Sequence, residues 1–522
     1  MHVKRWQQVL VGTALLAVAV GSGTAIWLAK TAEPRLRREI ELWLSDRLNS
    51  EVGVATLTVR LWPSVHLEGT GLVLRIKDRP DLPPFVTIDR WSGVGALRAL
   101  RSRRLSEVRL EGVTVTVPPG RKADLAPLRV RGAGDPSPGP RRPRPPLVDR
   151  LTAASVSIVV LPRQADRDPV VWDVRDLDVA PFSLDEASPF TATVDTPLPA
   201  DRARVAGEVG PWPRRDFDRL PLVGQFTFEG DLAAVPGLEG RLTASGNVLG
   251  TLERLATSGI ASSNALGLAS GSVGRLPMTS TFEAAFDGTS GDLFLSALTT
   301  SIGQSAFRTS GSITRQKGIR GRHVHLSVTT PDPVDLADVL RLLVDGARPP
   351  MAGRLGLEAA LEMAPGEADV LDRLEVSGTF RVSGARFANR DVQGKVDDLA
   401  RRGQGRPDDT AIADVPASMD GSVTLRGTRL TLQPVRFAVP GVEIRAAGGY
   451  GLTSERLAFR GVARLDAGLS RTLTGAKRML LRPLDPLLSK DGAGTRLVLD
   501  IGGTKADPHV DIDVGASLRG RR

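Results

Sequence analysis

The feature that most constrains the fold is a period of two in the hydrophobic pattern, which dominates the chain from Val54 onward. Val113, Val115 and Val117, for example, alternate with threonines. Successive side chains of a strand point to opposite faces, so each such stretch predicts a strand with one apolar and one polar face. Gly, Pro, Asp and Asn separate these stretches, which favours antiparallel meanders over βαβ units.

The length of 522 residues is too great for one ordinary core, so several domains or one elongated repeating body is expected. A Pro/Gly/Arg linker and a second polar loop, Arg401 to Pro416, divide the body. The predicted segments are a tip and anchor at 1–32, a connector helix at 33–53, a first β module at 54–131, the linker at 132–146, a middle β-region at 147–346 and a C-terminal β-region at 347–522.

The N-terminus predicts a membrane anchor. Lys4 and Arg5 precede an uncharged stretch, Trp6 to Ala29, that is long enough to cross a hydrocarbon core of about 30 Å. A cleaved signal peptide is the alternative, with Ala17-Val18-Ala19 as the small-residue site. We favour the uncleaved anchor because the apolar run continues past that site, whereas charge counting alone does not decide the orientation.

Four further segments depart from the alternating pattern. The connector has one helical stripe, formed by Leu36, Ile40, Leu44 and Leu48, and two interpretations stay open: a helix packed on the body or a helix lying on the bilayer. The segments Ala96 to Arg104 and Asp335 to Val344 are also predicted to be helices. Leu473 to Lys490 mixes basic and apolar residues, which suits either an anionic membrane surface or a broken helix that closes the end of the β-body.

Catalytic chemistry finds little support in the sequence. The chain has no cysteine, and neither a phosphate-loop motif nor an H-E-x-x-H motif occurs. His323 and His325 share a strand face that would suit a metal, but an exposed strand pair is the better interpretation because no further ligand stands at recognisable spacing. The net charge of +10 is spread along the chain without interleaved aromatics. We therefore predict no enzyme activity, cofactor, metal or nucleic-acid partner.

Taken in order, the segments resemble the AsmA-like family, which includes TamB-type proteins. The N-terminal likeness consists of the anchor, the connector helix, the strands Ala55–Trp62 and His66–Ile76 with Pro63 between them, and Leu105–Val117. The C-terminal likeness is carried by Arg373–Arg386 with Phe387, Val392–Leu399, Gly421–Leu432, Val439-Pro440-Gly441, Ala447–Tyr450, Gly475-Ala476-Lys477, Leu484-Asp485-Pro486, Gly492-Ala493-Gly494-Thr495 and Ile501-Gly502-Gly503-Thr504. The resemblance covers about half of the chain. Residues 147–346 share only the general pattern of short strands and turns, without particular motifs.

The resemblance implies a bacterial inner-membrane protein with a cytoplasmic N-terminus and a periplasmic body. The implied fold is mainly β: an elongated antiparallel, taco-shaped β-groove with a few short helices and one N-terminal transmembrane helix. The implied function is passive transfer of phospholipid between the inner and outer membranes, with acyl chains, the inner membrane and outer-membrane or envelope proteins as partners. The family carries no catalytic residues to transfer. From the alternating strands we predict these groove residues: Leu374, Val376, Phe380, Val382, Leu497, Leu499 and Ile501.

Two other functions remain as alternatives. The first is an assembly or scaffolding factor for outer-membrane proteins and envelope biogenesis, in which exposed strand edges pair with client strands. The second is a periplasmic hydrolase whose site these motifs do not reveal.

Overall fold

The computed structural model describes most of the β-rich body. The described residues are 37–42, 44–46, 50–60, 64–77, 81–96, 104–118, 147–162, 167–197, 200–212, 219–234, 238–251, 254–268, 275–288, 290–316, 318–343, 349–467, 495–504 and 507–512. Strands account for 69% of them, which confirms the prediction of a mainly β protein. The predicted anchor, the linker 132–146, Leu473 to Lys490 and nearly all of the helix predicted at Ala96 to Arg104 lie outside the described residues.

The strands of the first half are β1 (Ser50–Arg60), β2 (Val65–Ile76), β3 (Val86–Gly95), β4 (Leu105–Val117), β5 (Val148–Val160), β6 (Val170–Val179), β7 (Ser188–Pro197), β8 (Ala200–Val209), β9 (Pro221–Asp231), β10 (Leu238–Glu239), β11 (Arg241–Thr251) and β12 (Arg254–Leu268). A single 3₁₀ turn, Leu232–Ala234, follows β9. The boundaries of β4 coincide with the predicted segment, and His66–Ile76 falls within β2.

The strands of the second half are β13 (Leu276–Asp287), β14 (Asp292–Ile302), β15 (Ser305–Arg315), β16 (Arg322–Thr329), β17 (Val334–Asp335), β18 (Met351–Met363), β19 (Leu374–Phe387), β20 (Ala417–Arg426), β21 (Arg429–Val439), β22 (Val442–Gly451), β23 (Leu457–Leu465), β24 (Thr495–Gly503) and β25 (Pro508–Ile512). Among the described residues of this half, three helices interrupt them: α1 (Leu336–Leu343), α2 (Val370–Arg373) and α3 (Arg390–Gly403). Helix α1 lies within the helix predicted at Asp335 to Val344.

The chain divides into two compact units with interleaved boundaries. Unit 1 comprises residues 1–228, 246–256 and 287–291, and unit 2 comprises residues 229–245, 257–286 and 292–522. In unit 1, strands β1 to β9 pair in chain order. Its main cluster of buried residues is mainly aliphatic and includes Phe190, and Ile88, Val113, Val156 and Val174 of this cluster are in register across β3 to β6.

One pairing in unit 1 departs from the predicted antiparallel pairing of the β-body. Strands β4 and β5 run parallel, with Leu105 opposite Val148 and Val117 opposite Val160. Parallel neighbours need a connection of a dozen or more residues, and residues 118–147 provide one. The sheet is therefore mixed, because this long connection brings β5 back to the starting end of β4.

The start of unit 1 supports one of the two interpretations of the connector. Residues 37–42 and 44–46 are helical, and Ile40 packs against the buried cluster of Val54, Leu57 and Val59. A helix that contributes to this cluster is packed on the body. Strand β1 begins at Ser50, upstream of the regular alternation that starts in the sequence at Val54.

In unit 2, strand β14 pairs with β15, β15 with β16 and β16 with β18, and β18 to β25 follow as consecutive antiparallel neighbours. The two-residue strand β17 pairs with one end of β18. Helix α1 packs on β18, and helix α3 packs on β19, β21 and β22. The segment Arg401 to Pro416, predicted as a loop, is corrected at its start because residues 401–403 form the last turn of α3.

Candidate functional site

Apolar side chains of unit 2 form rows that run across the strands. We number three rows by distance along the strands from α3. Row A contains Leu357, Phe380, Gly421, Val435, Ala446, Gly461 and Leu499; row B contains Ala359, Gly378, Val423, Leu432, Gly448, Phe459 and Ile501; row C contains Leu361, Val376, Leu425, Leu430, Tyr450 and Leu457. A fourth row, the covered row, contains Leu355, Val382, Met419, Phe437, Ile444, Ala463 and Leu497.

Burial falls steadily from the covered row to row C. In the covered row Leu355, Val382 and Ala463 are at most 6% exposed, and its other members pack against the same buried cluster. Row A contributes only Leu357, Phe380 and Leu499 to the margin of that cluster, where they are half-buried. Every residue of rows B and C is half-buried and none belongs to the cluster. Rows B and C are thus an apolar surface with incomplete cover among the described residues.

Helix α3 provides the cover over the other end of this face. Val396 and Ala400 of the helix are buried in the cluster, and Ala400 is 0% exposed. The helix can approach the strands closely because a Cβ atom at Gly403 would lie only 2.5 Å from the carbonyl oxygen of Gly441. The backbone bond from Ala467 N–H to Gly403 O, 3.0 Å long, fixes the same end of the helix.

A buried polar network holds α3 to the loop that follows it. The Asp397 carboxylate accepts hydrogen bonds from the backbone N–H groups of Val415 and Asp414, at 2.9 and 3.0 Å. Gln393 donates to the same carboxylate at 2.9 Å and accepts from the Phe387 N–H at 3.0 Å. Burial acts to raise the pKa of Asp397, but these donors together with the nearby Arg401 charge outweigh it and lower the pKa below its ordinary value.

Helix α1 is tied to its surroundings by a carboxylate as well. Asp338 is 5% exposed and accepts hydrogen bonds from the Gln304 N–H and from the Ser305 hydroxyl, both at 3.0 Å. These two residues lie at the turn between β14 and β15, where Gly303 has a φ of +61°. The contact fixes α1 to the β14–β15 hairpin.

The opposite face of the same strands is polar and charged. Arg436 donates to Glu443 at 2.9 Å, and Arg445 donates to the second oxygen of that carboxylate at 2.7 Å. The hydrogen bond from Arg436 is the main reason that the pKa of Glu443 is lowered. A further exposed pair joins Arg460 to Asp500 at 2.8 Å. Exposed pairs of this kind contribute little to stability, but they make this face well suited to water.

The predicted groove residues lie on the apolar face but differ in their surroundings. Phe380 and Leu499 belong to row A, Ile501 to row B and Val376 to row C, and all four are half-buried. Leu374 is half-buried opposite Met363, beyond row C. Val382 and Leu497 belong to the covered row, and Val382 is only 3% exposed, so its side chain is part of the packed core beside α3.

Of the two histidines that share a strand face, His323 and His325, the second pairs with a carboxylate on the neighbouring strand. His325 is exposed on β16, and its Nδ1 lies 3.1 Å from the Glu362 carboxylate on β18. Within the described part of the chain, no group of three or more His, Cys, Asp or Glu side chains is placed to hold a metal ion.

Sequence reasoning did not predict helix α3, although a signal for it exists. Asn389 caps the helix, accepting hydrogen bonds from the Asp391 and Val392 N–H groups at 2.8 and 3.3 Å. Val392 and Val396 follow at helical spacing, and the last turn carries Arg401 and Arg402. The signal is weak because Gln393 and Asp397, both polar, occupy buried positions of the helix.

Comparison with known proteins adds no assignment: no protein-family model matches the chain, and no curated protein matches it. The AsmA-like resemblance therefore stays a prediction. Within the described residues, every helix is too short or too polar to span a membrane.

Proposed function

We propose that the apolar face of unit 2 binds phospholipid acyl chains and that the chain is a membrane-anchored lipid-transfer protein. The observation that carries the proposal is the continuity of rows B and C, which are half-buried across every strand from β18 to β23. The groove shape, the inner-membrane anchor and the periplasmic location come from the sequence pattern and the family resemblance, and they belong to the proposal.

The extent of the face suits a long ligand. Row C continues beyond β18, since Leu361 pairs with Leu326 of β16, and the sheet itself continues beyond β24, since Leu499 lies in register with Ile512 of β25. At about 4.8 Å per strand, the eleven strands from β14 to β25 that pair in series extend over roughly 50 Å. Acyl chains lying across the strands would meet the apolar side chains of rows A to C from β18 to β24.

The energetics explain why such a face would be needed. Exposing one methylene to water costs about 0.8 kcal/mol, so a chain of about 16 carbons would cost on the order of 13 kcal/mol. Free passage through water is therefore negligible. Rows B and C supply a surface that receives acyl chains without first unpacking the core, because α3 covers only the covered row and the margin of row A. Transfer along it would be passive.

The test is site-specific photo-crosslinking on β19 in membranes. Phe380 lies on the apolar face, whereas Thr379 and Arg381 are exposed on the opposite face. A crosslinker at position 380 should capture phospholipid, and crosslinkers at 379 and 381 should capture little. Equal capture at the three positions would refute the proposal and favour the scaffolding alternative.

Matched substitutions give a second readout. Phe380→Glu places a charge where acyl chains are proposed to lie, so it should lower the lipid that co-purifies with the protein, measured by mass spectrometry. Arg381→Glu is the control, because that side chain is exposed on the polar face. The comparison is valid if circular dichroism shows the same strand content for both variants.

A further inference from the structure

The helical residues 37–42 and 44–46, which we call the clasp, are hydrogen-bonded to the backbone of β1. Arg37 Nη1 donates to the Ala55 carbonyl at 3.1 Å, Glu41 Oε1 accepts from the Val54 N–H at 3.1 Å, and Ser45 Oγ accepts from the Val52 N–H at 3.2 Å. Residues four apart lie on one face of a helix, so the three side chains form a single stripe. The clasp therefore satisfies backbone groups of β1 with side chains.

These contacts lie where a neighbouring strand would otherwise pair. Among the described residues, β1 pairs with β2 and with no other strand. An edge strand presents unpaired N–H and C=O groups that can template pairing with another chain. Two of the three hydrogen bonds of the clasp are made by the long side chains of Arg37 and Glu41, which are 44% and 25% exposed and can therefore be replaced by another partner.

The sequence of β1 is complementary to itself in antiparallel orientation. Buried positions in its first half are even-numbered and include Val54, and those in its second half are odd-numbered, namely Leu57 and Val59. An antiparallel pair centred between residues 55 and 56 would place Val54 opposite Leu57 on the same face. The same register would place Glu51 opposite Arg60, and cross-strand pairs of opposite charge are favourable.

From this the geometry points to β1 as a homodimerisation edge that the clasp keeps closed. The partner is the β1 strand of a second copy, paired antiparallel about a twofold axis, with Glu51 of each copy facing Arg60 of the other. The proposal is independent of lipid binding, since it rests only on the clasp and on β1.

The first experiment removes the clasp from the full chain in detergent. Arg37→Ala, Glu41→Ala and Ser45→Ala are combined, and the mass of the protein is measured by light scattering over a concentration series. Because three hydrogen bonds that compete with strand pairing are lost, the dimer dissociation constant should fall by at least about tenfold. The control combines Arg38→Ala with Glu39→Ala, two exposed residues of the same helix, and should leave it unchanged.

The second experiment identifies the edge by charge reversal in the clasp-free background. Glu51→Arg should weaken the dimer about tenfold by facing Arg60 of the other copy, and adding Arg60→Glu should restore it. This double variant also controls for the neighbouring β2 strand, because position 51 still faces Arg75 there. A clasp-free protein that stays monomeric, or dimers insensitive to both charge changes, would overturn the proposal.

Discussion

Replacing Asp397 by asparagine tests whether the carboxylate network holds α3 against the apolar face. The carboxylate is 8% exposed and accepts three hydrogen bonds from Val415, Asp414 and Gln393. An amide at this position keeps one acceptor oxygen but turns an NH₂ group toward a backbone N–H. A buried donor left without an acceptor costs about 1–3 kcal/mol, so we expect α3 to be destabilised by about 2 kcal/mol.

The effect should depend on pH in a defined direction. The folded-state pKa of Asp397 is lowered below the ordinary value of 3.8, so the ionised carboxylate contributes stability that is fully present above that value. This contribution is lost as the pH falls through the lowered pKa of the folded state. The difference between Asp397→Asn and the wild type should therefore be constant near neutrality and should shrink only below pH 3.8.

Hydrogen exchange of the α3 backbone amides is the assay, since it reports local opening in a protein of two units. A loss of about 2 kcal/mol corresponds to an exchange rate about 30-fold faster. Asp398→Asn is the control, because Asp398 pairs with Arg402 at 2.7 Å and both side chains are 39–40% exposed, so its loss should cost at most about 0.5 kcal/mol. If both variants accelerated exchange equally, the network would not be the anchor of α3.

Two further predictions concern the same helix and use the same measurement. Gly403→Ala should accelerate exchange strongly, because the new Cβ would lie 2.5 Å from the carbonyl oxygen of Gly441. A Cβ at position 394 would meet no atom within 4 Å, so Gly394→Ala should stabilise the helix by about 0.5–1 kcal/mol and slow exchange. Asn389→Ala should cost about 1 kcal/mol through loss of the N-cap, with the fastest exchange confined to the first turn.

How far the sequence predicts this protein is visible in strand β19. The alternation of Leu374, Val376, Phe380 and Val382 with polar residues predicts both the strand and the exposed positions between them. It does not distinguish Val376 from Val382, because the difference is made by α3, which packs against one end of the face. Helix α3 itself was missed because its inner face holds Gln393 and Asp397, whose burial depends on loop donors that no local pattern reveals.

Pairing between strands was only partly predictable, for a related reason. Neighbouring strands in chain order are the default for a meander, but the parallel pair β4–β5 depends on where a long connection returns the chain. The rows across β20 to β22 also depend on register shifts, between Gly421 and Val423 and between Leu432 and Val435. These irregularities keep Leu432 and Val435 on one face despite their odd spacing, which a strict period of two would not predict.

The contrast between Val382 and Val376 gives a matched test of the covered and open parts of the face. Both are valines on the apolar side of β19, but Val382 is 3% exposed in the core and Val376 is half-buried in row C. Val382→Ala removes two buried methyl groups and leaves a cavity, so it should destabilise unit 2 by about 2 kcal/mol.

Val376→Ala should lower the free energy of unfolding of lipid-free protein by less than about 0.5 kcal/mol. It should also lower the amount of co-purifying phospholipid, because the methyl groups of Val376 are proposed to contact acyl chains and not the core. Hydrogen exchange of β19 and mass spectrometry of bound lipid measure the two effects separately. If Val382→Ala lowered bound lipid with unchanged stability, or Val376→Ala destabilised the fold as much as Val382→Ala, the boundary that α3 sets between core and lipid surface would be misplaced.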